Sequence, residues 1–338
     1  MAEVRRGAFE AAPNIALVKY WGQRDEANAL PYNSSLSVTL ARFRTRTVVA
    51  FDPCLPTDRV TLNGRPALAA PRDAVKTFLD RVRALSGTRT HADVRSRNNF
   101  PTASGLASSA SGFAALAGAA STAAGLRLSS RRLSQLARFG SGSAARSVFG
   151  GFVEWQRGDR PDGRDCYARP LFGPDHWADL VDLVCLVERA PVKTIRSATA
   201  MQQTVRTSPE FARRQDEVPD RLTKIRRAIR DRDAGRLFPL VMEECDSFRT
   251  VCETTRPSLD YLTAASRLLL RAVREENARA GRPVAAYTHD AGAHVHIFTL
   301  VSTAAAVRRR LSKLRGVRQV TTTRPGPGAR RLPDHHAI

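Results

Sequence analysis

The chain has 338 residues, 42% hydrophobic and 25% charged, which is enough for a sizeable core and about two domains of a soluble globular protein. No apolar run approaches the roughly 20 residues of a membrane span and no secretory signal precedes the first strand, so neither a membrane nor an exported setting is expected. The five cysteines are scattered without CxxC or metal-ligand spacing and read as reduced thiols of a cytoplasmic protein.

The formal net charge of +22 comes almost entirely from Arg spread over the whole chain. There is no basic tail and no aromatic–basic interleaving, and coding bias accounts for such a pattern at least as well as a nucleic-acid surface. The positive field still attracts anionic substrates. Lys occurs only at Lys19, Lys76, Lys193, Lys224 and Lys313. In a chain that favours Arg so strongly, a retained Lys marks a place that needs an amine.

Residues 8–18 read as an early strand ending in a loop, and residues 35–51 alternate with period two as one long strand or a bent pair. Asn63-Gly64 marks a hairpin turn. Residues 72–86 read as an amphipathic helix closed by Gly87. A strand at 92–97 enters the run Asn98-Asn99-Phe100-Pro101-Thr102-Ala103-Ser104-Gly105-Leu106-Ala107-Ser108-Ser109-Ala110-Ser111-Gly112. Pro and Gly break the chain there, and small residues then open a helix from Ala107 to about Ala124. Free N–H groups and the positive dipole end at such a start suit a phosphate. No GxxxxGK[S/T] is present, so this is not the common P-loop. The alternative is a small-residue helix packed closely on a sheet.

A shorter helix follows at 129–138, then Gly140-Ser141-Gly142-Ser143 and a strand-like GGFVEW. Residues 158–180 read as an exposed loop region, and 181–188 as a continuous apolar strand. Helical stretches follow near 194–205, 209–231, 234–252 and 258–280. Strands are expected at Val284–His289 and His294–Leu300, a helix at 303–314 and a last strand near 317–322. The tail from Arg324 is rich in Pro, Gly, Arg and His and is expected to be disordered. The pattern is α+β in two halves, 1–180 and 181–323, followed by that tail of 324–338.

Three segments carry chemistry. In Asn14–Asp25, Lys19 follows the apolar run Ile15–Val18, so its stem is expected to be buried and its amine to face a cleft; the alternative is a Lys stem snorkelling past Tyr20 and Trp21. In Gly140–Gly151, serines alternate with Gly and present hydroxyls together with main-chain N–H groups, while Arg146 offers a planar fork for a carboxylate or phosphate. The alternative there is a Gly/Ser connector. In Tyr287–His296, Asp290 stands where an apolar strand stops at a Gly, a way to aim a carboxylate into a cleft. A turn-capping Asp is the competing reading. A metal site at His289, Asp290 and His294 is disfavoured, because adjacent residues diverge on a strand.

Taken together these motifs resemble the GHMP kinase superfamily and, within it, the mevalonate diphosphate decarboxylases. Asn14–Asp25 with Asn33–Leu40 is similar to the family signature NIA-x-x-KYWGK followed by NSSLS-x-TL. Asn98–Gly112 resembles the family nucleotide loop, Gly140–Phe152 the GSGSA segment, Met201–Ser208 the MxxTxxTS segment and Tyr287–His294 the YTFDAGPN segment. The resemblance covers residues 8–322. It implies a two-domain α+β fold of the GHMP kinase type, with a ribosomal-domain-like N-terminal half carrying the nucleotide loop and a ferredoxin-like, helix-rich C-terminal half.

The implied activity is an ATP- and Mg²⁺-dependent decarboxylation of mevalonate 5-diphosphate to isopentenyl diphosphate, by phosphorylation of the 3-hydroxyl and then loss of phosphate and CO2. By the same resemblance, Asp290, Lys19 and Arg146 are the catalytic residues. Asp290 orients or deprotonates the hydroxyl, Lys19 stabilises negative charge beside it, and Arg146 clamps the substrate carboxylate. Asn98, Pro101, Ser104, Gly105, Leu106, Ala107, Ser108 and Ser109 are implied to bind ATP. Tyr20, Gln23, Ser141, Gly142 and Ser143, with Ser197, are implied to hold the phosphorylated end of the substrate. Family members are often homodimers.

The chain departs from the family at the substrate's 5-end. Gln23 stands where the family has a second Lys, which contacts the 5-diphosphate. Ala293 and His294 replace Pro-Asn, Ala198 replaces an Arg of bacterial members with Arg196 close by, Ala200 replaces a Gly, and a family His has no clear match around Thr250. The catalytic trio is intact. Substrate identity is therefore more open than reaction type: a phosphomevalonate decarboxylase giving isopentenyl phosphate is the first alternative, and a mevalonate-type 3-hydroxyl kinase the second. An RNA-binding protein is the non-enzyme reading, and the intact trio argues against it.

Overall fold

The computed structural model describes residues 4–100, 108–188, 195 and 197–333. Its helices, numbered in chain order, are α1 Ala69–Ser86, α2 Ser108–Ala123, α3 Ser130–Ala137, α4 Ala144–Ser147, α5 Ser197–Thr207, α6 Glu210–Asp231, α7 Ala234–Glu253, α8 Ala264–Ala280 and α9 Val301–Leu311. The period-two run at 35–51 is a bent pair: Ser35–Thr39 and Thr45–Asp52 belong to different sheets.

The first sheet takes its strands in the order Arg330–Arg331, Arg5–Ala11, Thr45–Asp52, His91–Asn98, Arg59–Leu62 and Arg65–Pro66. Helix α2 lies on it, and the small residues that suggest a phosphate loop also permit this packing. A Cβ on Gly118 would meet the Phe9 ring at 2.3 Å, and one on Gly7 would meet the Ala119 carbonyl at 2.3 Å. Only glycine allows that approach.

The second sheet runs Ala168–Phe172, Phe152–Trp155, Ser35–Thr39, Asn14–Val18, and all its pairings are antiparallel. Helices α6 and α7 cover it. Ile15, Leu17, Leu36 and Val38 from this sheet share one apolar core with Val218, Leu222, Ile225, Ile229, Phe238 and Val241 from the helices. The third sheet, Ala285–Thr288, Val295–Leu300, Leu180–Val187, Val317–Thr323, is wholly antiparallel. Counted within the second half, its order is 2-3-1-4, the ferredoxin-like arrangement that the resemblance implies.

Two expectations need correction. The region 158–180 is not simply an exposed loop, since it contributes the edge strand Ala168–Phe172 and buries Cys166 and Trp177. Nor is the tail disordered over its described part. Residues 324–333 lie against the first half, where Arg330 and Arg331 pair with Phe9 and Glu10. The Gly151 N–H donates to the Gly326 carbonyl at 2.9 Å, and Ala329 N–H donates to the Val148 carbonyl at 3.1 Å. The composition resembles that of a disordered segment because Pro and Gly dominate it. Here the glycines serve close main-chain contact: a Cβ on Gly328 would stand 2.6 Å from the Val148 carbonyl oxygen.

Candidate active site

The register of Asn14–Val18 against Ser35–Thr39 shifts between Ala16 and Val18. Such an irregularity turns the strand end out of its ladder, and Lys19 follows it. Lys19 is 2% exposed. Its ammonium donates to the Ala16 carbonyl at 2.7 Å and to Asp290 Oδ1 at 2.8 Å. An ammonium has three donors, so one N–H remains for a substrate.

Asp290 comes from the other half of the chain, just past Ala285–Thr288. Its carbonyl accepts from Gly292 N–H at 2.7 Å and from His289 Nδ1 at 2.8 Å, which fixes the tight turn that presents the carboxylate. The side chain keeps 29% exposure, so the carboxylate is reachable from solvent. Burial pushes its pKa up, but Lys19, with smaller help from His296 and Arg146, holds it below the usual carboxylate value. Asp290 is thus ionised at neutral pH and able to accept a hydroxyl proton.

Arg146 lies in α4 and is 2% exposed. Its Nε donates to Asn14 Oδ1 at 3.2 Å and to Ser37 Oγ at 3.0 Å, and Nη1 donates to Ser35 Oγ at 2.5 Å. Burial draws its pKa down to about 10, against the opposing pull of Asp290. Among the described residues no carboxylate lies within ion-pair distance of it. A buried cation with neutral partners and one end of its fork unspent is suited to a carboxylate ligand.

Of the predicted substrate-binding residues, Tyr20, Gln23, Ser141, Gly142 and Ser143 gather on the Arg146 side of this trio. Gly142 packs against the Tyr20 and Trp155 rings, where a Cβ would meet Tyr20 at 2.6 Å. Tyr20 is edge-on to Trp155 at 4.8 Å. Its hydroxyl is buried, which pushes its pKa up, with the Gln23 side chain facing it and Arg146 nearby. Ser141 Oγ is 3.1 Å from Ser143 Oγ and donates to Ser109 Oγ at 3.4 Å, so the serine loop meets the start of α2. Ser197 opens α5. That helix packs on the segment that follows Lys19, where Trp21 Nε1 donates to Thr204 Oγ1 at 3.0 Å.

Asn98, Ser108 and Ser109 line a cleft of about 220 Å³ beside the start of α2, together with Thr45, Leu62 and Val75. An apolar wall next to a helix N-terminus suits a nucleoside with its phosphates at the helix end. Pro101, Ser104, Gly105, Leu106 and Ala107 lie outside the described residues. His294 accepts from Val187 N–H at 3.2 Å, and His289 Nδ1 is used in the Asp290 turn. Among the described residues no cluster of three or more His, Cys, Asp or Glu could hold a metal ion.

Glu244, Arg214 and Arg221 join the site without having been expected there. Glu244 is completely buried; its Oε1 accepts from Lys19 N–H at 2.8 Å and from Arg214, and its Oε2 from Arg214 and Arg221. The sequence does carry a signal for them. Arg214 and Arg221 fall on the apolar stripe Phe211, Val218, Leu222, Ile225 of α6, and Glu244 on the stripe Leu237, Val241, Phe248 of α7. A charge on a buried stripe needs a buried partner.

Known proteins share this fold. Residues 11–168 match the diphosphomevalonate decarboxylase-like N-terminal domain, and residues 183–327 the mevalonate 5-diphosphate decarboxylase C-terminal domain. The diphosphomevalonate decarboxylase of Bos taurus is 42% identical over 313 residues, 87% of this chain and 77% of the relative. That of Homo sapiens is 41% identical over 313 residues, with the same coverage. A structure of the mevalonate diphosphate decarboxylase from Enterococcus faecalis, described for its mevalonate diphosphate mediated ATP binding, superposes with a TM-score of 0.90 at 36% identity, over 98% of this chain and 99% of that one. A structure of MDDEF in complex with MVAPP, AMPPCP and magnesium superposes with a TM-score of 0.91, also at 36% identity and the same coverage. With family models matched over both parts and relatives above 40% identity over most of its length, the chain belongs to the diphosphomevalonate decarboxylase family.

Proposed function

We propose that this chain catalyses the ATP-dependent decarboxylation of mevalonate 5-diphosphate to isopentenyl diphosphate, ADP, phosphate and CO2. The observation that carries the reading is the Lys19–Asp290 ion pair, whose carboxylate stays 29% exposed while the buried Arg146 cation lies close enough to bias it.

Asp290 takes the proton of the 3-hydroxyl as its oxygen attacks the terminal phosphoryl group of ATP. The spare N–H of Lys19 steadies the negative charge on that oxygen. Arg146 holds the carboxylate against Ser35 and Ser37 and keeps the C–COO bond oriented. The C3–O bond then breaks with phosphate as leaving group, and the electron pair of the C–COO bond becomes the new double bond as CO2 departs. Mg²⁺ supplies charge neutralisation on the nucleotide phosphates. With no acidic cluster among the described residues beside the cleft, it would be held by phosphate oxygens, water and the hydroxyls of Ser108 and Ser109. The buried free thiols fit a reducing, cytoplasmic setting.

A second reading, the 5-monophosphate as substrate, is favoured by one observation. Gln23 brings no charge to the Tyr20 side of the cleft. Assays with ATP, Mg²⁺ and either mevalonate 5-diphosphate or mevalonate 5-phosphate separate the two. Equimolar ADP and CO2 from the diphosphate is the expected result. The same yield from the monophosphate alone would replace the substrate, and ADP without CO2 would overturn decarboxylation.

A further inference from the structure

We infer that the buried Arg214–Glu244–Arg221 network is a positioning device, which holds the main chain of Lys19 so that its ammonium meets Asp290. The inference rests on the catalytic reading of Lys19 given above.

The contacts converge on one residue's main chain. Glu244 Oε1 accepts from Lys19 N–H at 2.8 Å. The Lys19 carbonyl accepts from Asn33 Nδ2 at 3.0 Å and from Arg214 Nη2 at 3.4 Å. Both polar atoms of Lys19's own main chain are therefore held by buried side chains. The strand ladder does not hold that N–H, because Lys19 lies beyond the shifted register of Asn14–Val18. Glu244 and Arg214 come from α7 and α6, whereas Lys19 belongs to the first half, so the network ties the amine to the half that carries Asp290.

Stability alone does not call for this arrangement. A buried ionic triad is commonly no more stabilising than well-packed apolar groups of the same volume. Arg221 also reaches Glu243 of α7 at 2.8 Å, so that pair would still link α6 and α7 without Glu244. What only the buried carboxylate supplies is an acceptor for Lys19 N–H. It stays ionised: burial pushes its pKa up, but Arg214, the Lys19 N–H and Arg221 bring it below the ordinary Glu value. The ammonium has lost most of its freedom, and an error of about 1 Å in such a group costs on the order of a hundredfold in rate.

The test compares Glu244→Gln, the triple replacement Arg214→Met/Glu244→Leu/Arg221→Met, and Lys19→Ala, each checked for a cooperative thermal transition. In Glu244→Gln the amide oxygen still accepts from Lys19 N–H but the charge is lost. In the triple variant both are gone and no buried charge is orphaned. The expected result is a kcat loss of roughly tenfold for Glu244→Gln and a hundredfold for the triple variant, with KM for ATP within about twofold. The acid limb of kcat/KM should also move to higher pH, because Asp290 loses the nearby ammonium. A folded triple variant with unchanged kcat and pH profile would overturn the inference, and so would loss of folding in both Glu244 variants, which would make the network a folding requirement. If Lys19→Ala itself kept full activity, the fault would lie in the catalytic reading of Lys19.

Discussion

On the proposed mechanism, a single side chain decides most of the chemistry on the carboxylate side. Arg146 is legible in the sequence as a planar donor after a Gly/Ser run, but its surroundings are not. Asn14, Ser35 and Ser37 come from strands more than 100 residues away, and only the pairing of Asn14–Val18 with Ser35–Thr39 lines them up. Those partners are neutral, so the cation is not spent on the protein. Arg146→Lys should keep the charge and lose the function: a compact ammonium cannot bridge Ser35, Ser37 and a substrate carboxylate at once. We expect kcat/KM to fall by about a hundredfold, roughly 2.7 kcal/mol of transition-state stabilisation, with nucleotide affinity unchanged. Isothermal titration with a non-hydrolysable ATP analogue beside steady-state rates checks both. A Lys variant within fivefold of the parent would mean that Arg146 supplies charge rather than a fork.

Elements with a strong hydrophobic period are legible in the sequence: α1, α3, α6 and the strands of the third sheet lie within a few residues of expectation. The tail escapes that kind of reading for a physical reason. Its ordering comes from main-chain hydrogen bonds and glycine contacts made with residues far away in sequence, and neither leaves a periodic trace. The segment runs beside the chain that follows Arg146, with Ala329 N–H on the Val148 carbonyl and Gly328 against Phe149 and Gly150. Glu10, buried on the adjacent strand, accepts from Arg330 at 3.0 Å. Gly328→Val would force main chain apart, because its Cβ sits 2.6 Å from the Phe149 carbonyl carbon. We expect a loss of about 2 kcal/mol, read as a Tm drop of several degrees. KM for the substrate should rise through the loosened Arg146 segment, while KM for ATP stays put. An unchanged Tm would show that the tail is not packed there.

At the scale of the whole molecule, an α+β pattern with an expected boundary near residue 180 is legible in the sequence. The sharing of a core is not, since Ile15 and Leu17 meet Val218 and Val241 only in three dimensions. Unfolding should therefore couple both halves and expose groups from each at once. Two of those groups set a pH dependence. His289 and His294 are buried, and burial pulls each down to about 4 from an ordinary value of 6.5. The unfolded chain thus gains protons that the folded chain refuses as pH falls through 6.5. The stabilising contribution is complete above that value, declines between about 6.5 and 4, and is lost below. Each imidazole accounts for at most about 3 kcal/mol over that window. The depressed carboxylates Asp290, Glu244 and Glu10 act in the same direction at lower pH, losing their contribution as they protonate below their ordinary values. Thermal melts from pH 7.5 to 4 should show Tm falling steadily below pH 6.5. His289→Phe, which removes one of the two imidazoles and keeps an aromatic against Phe248, should flatten that slope by about half. A parent Tm that is level from pH 6.5 to 4.5 would mean that these histidines are not kept neutral by the fold.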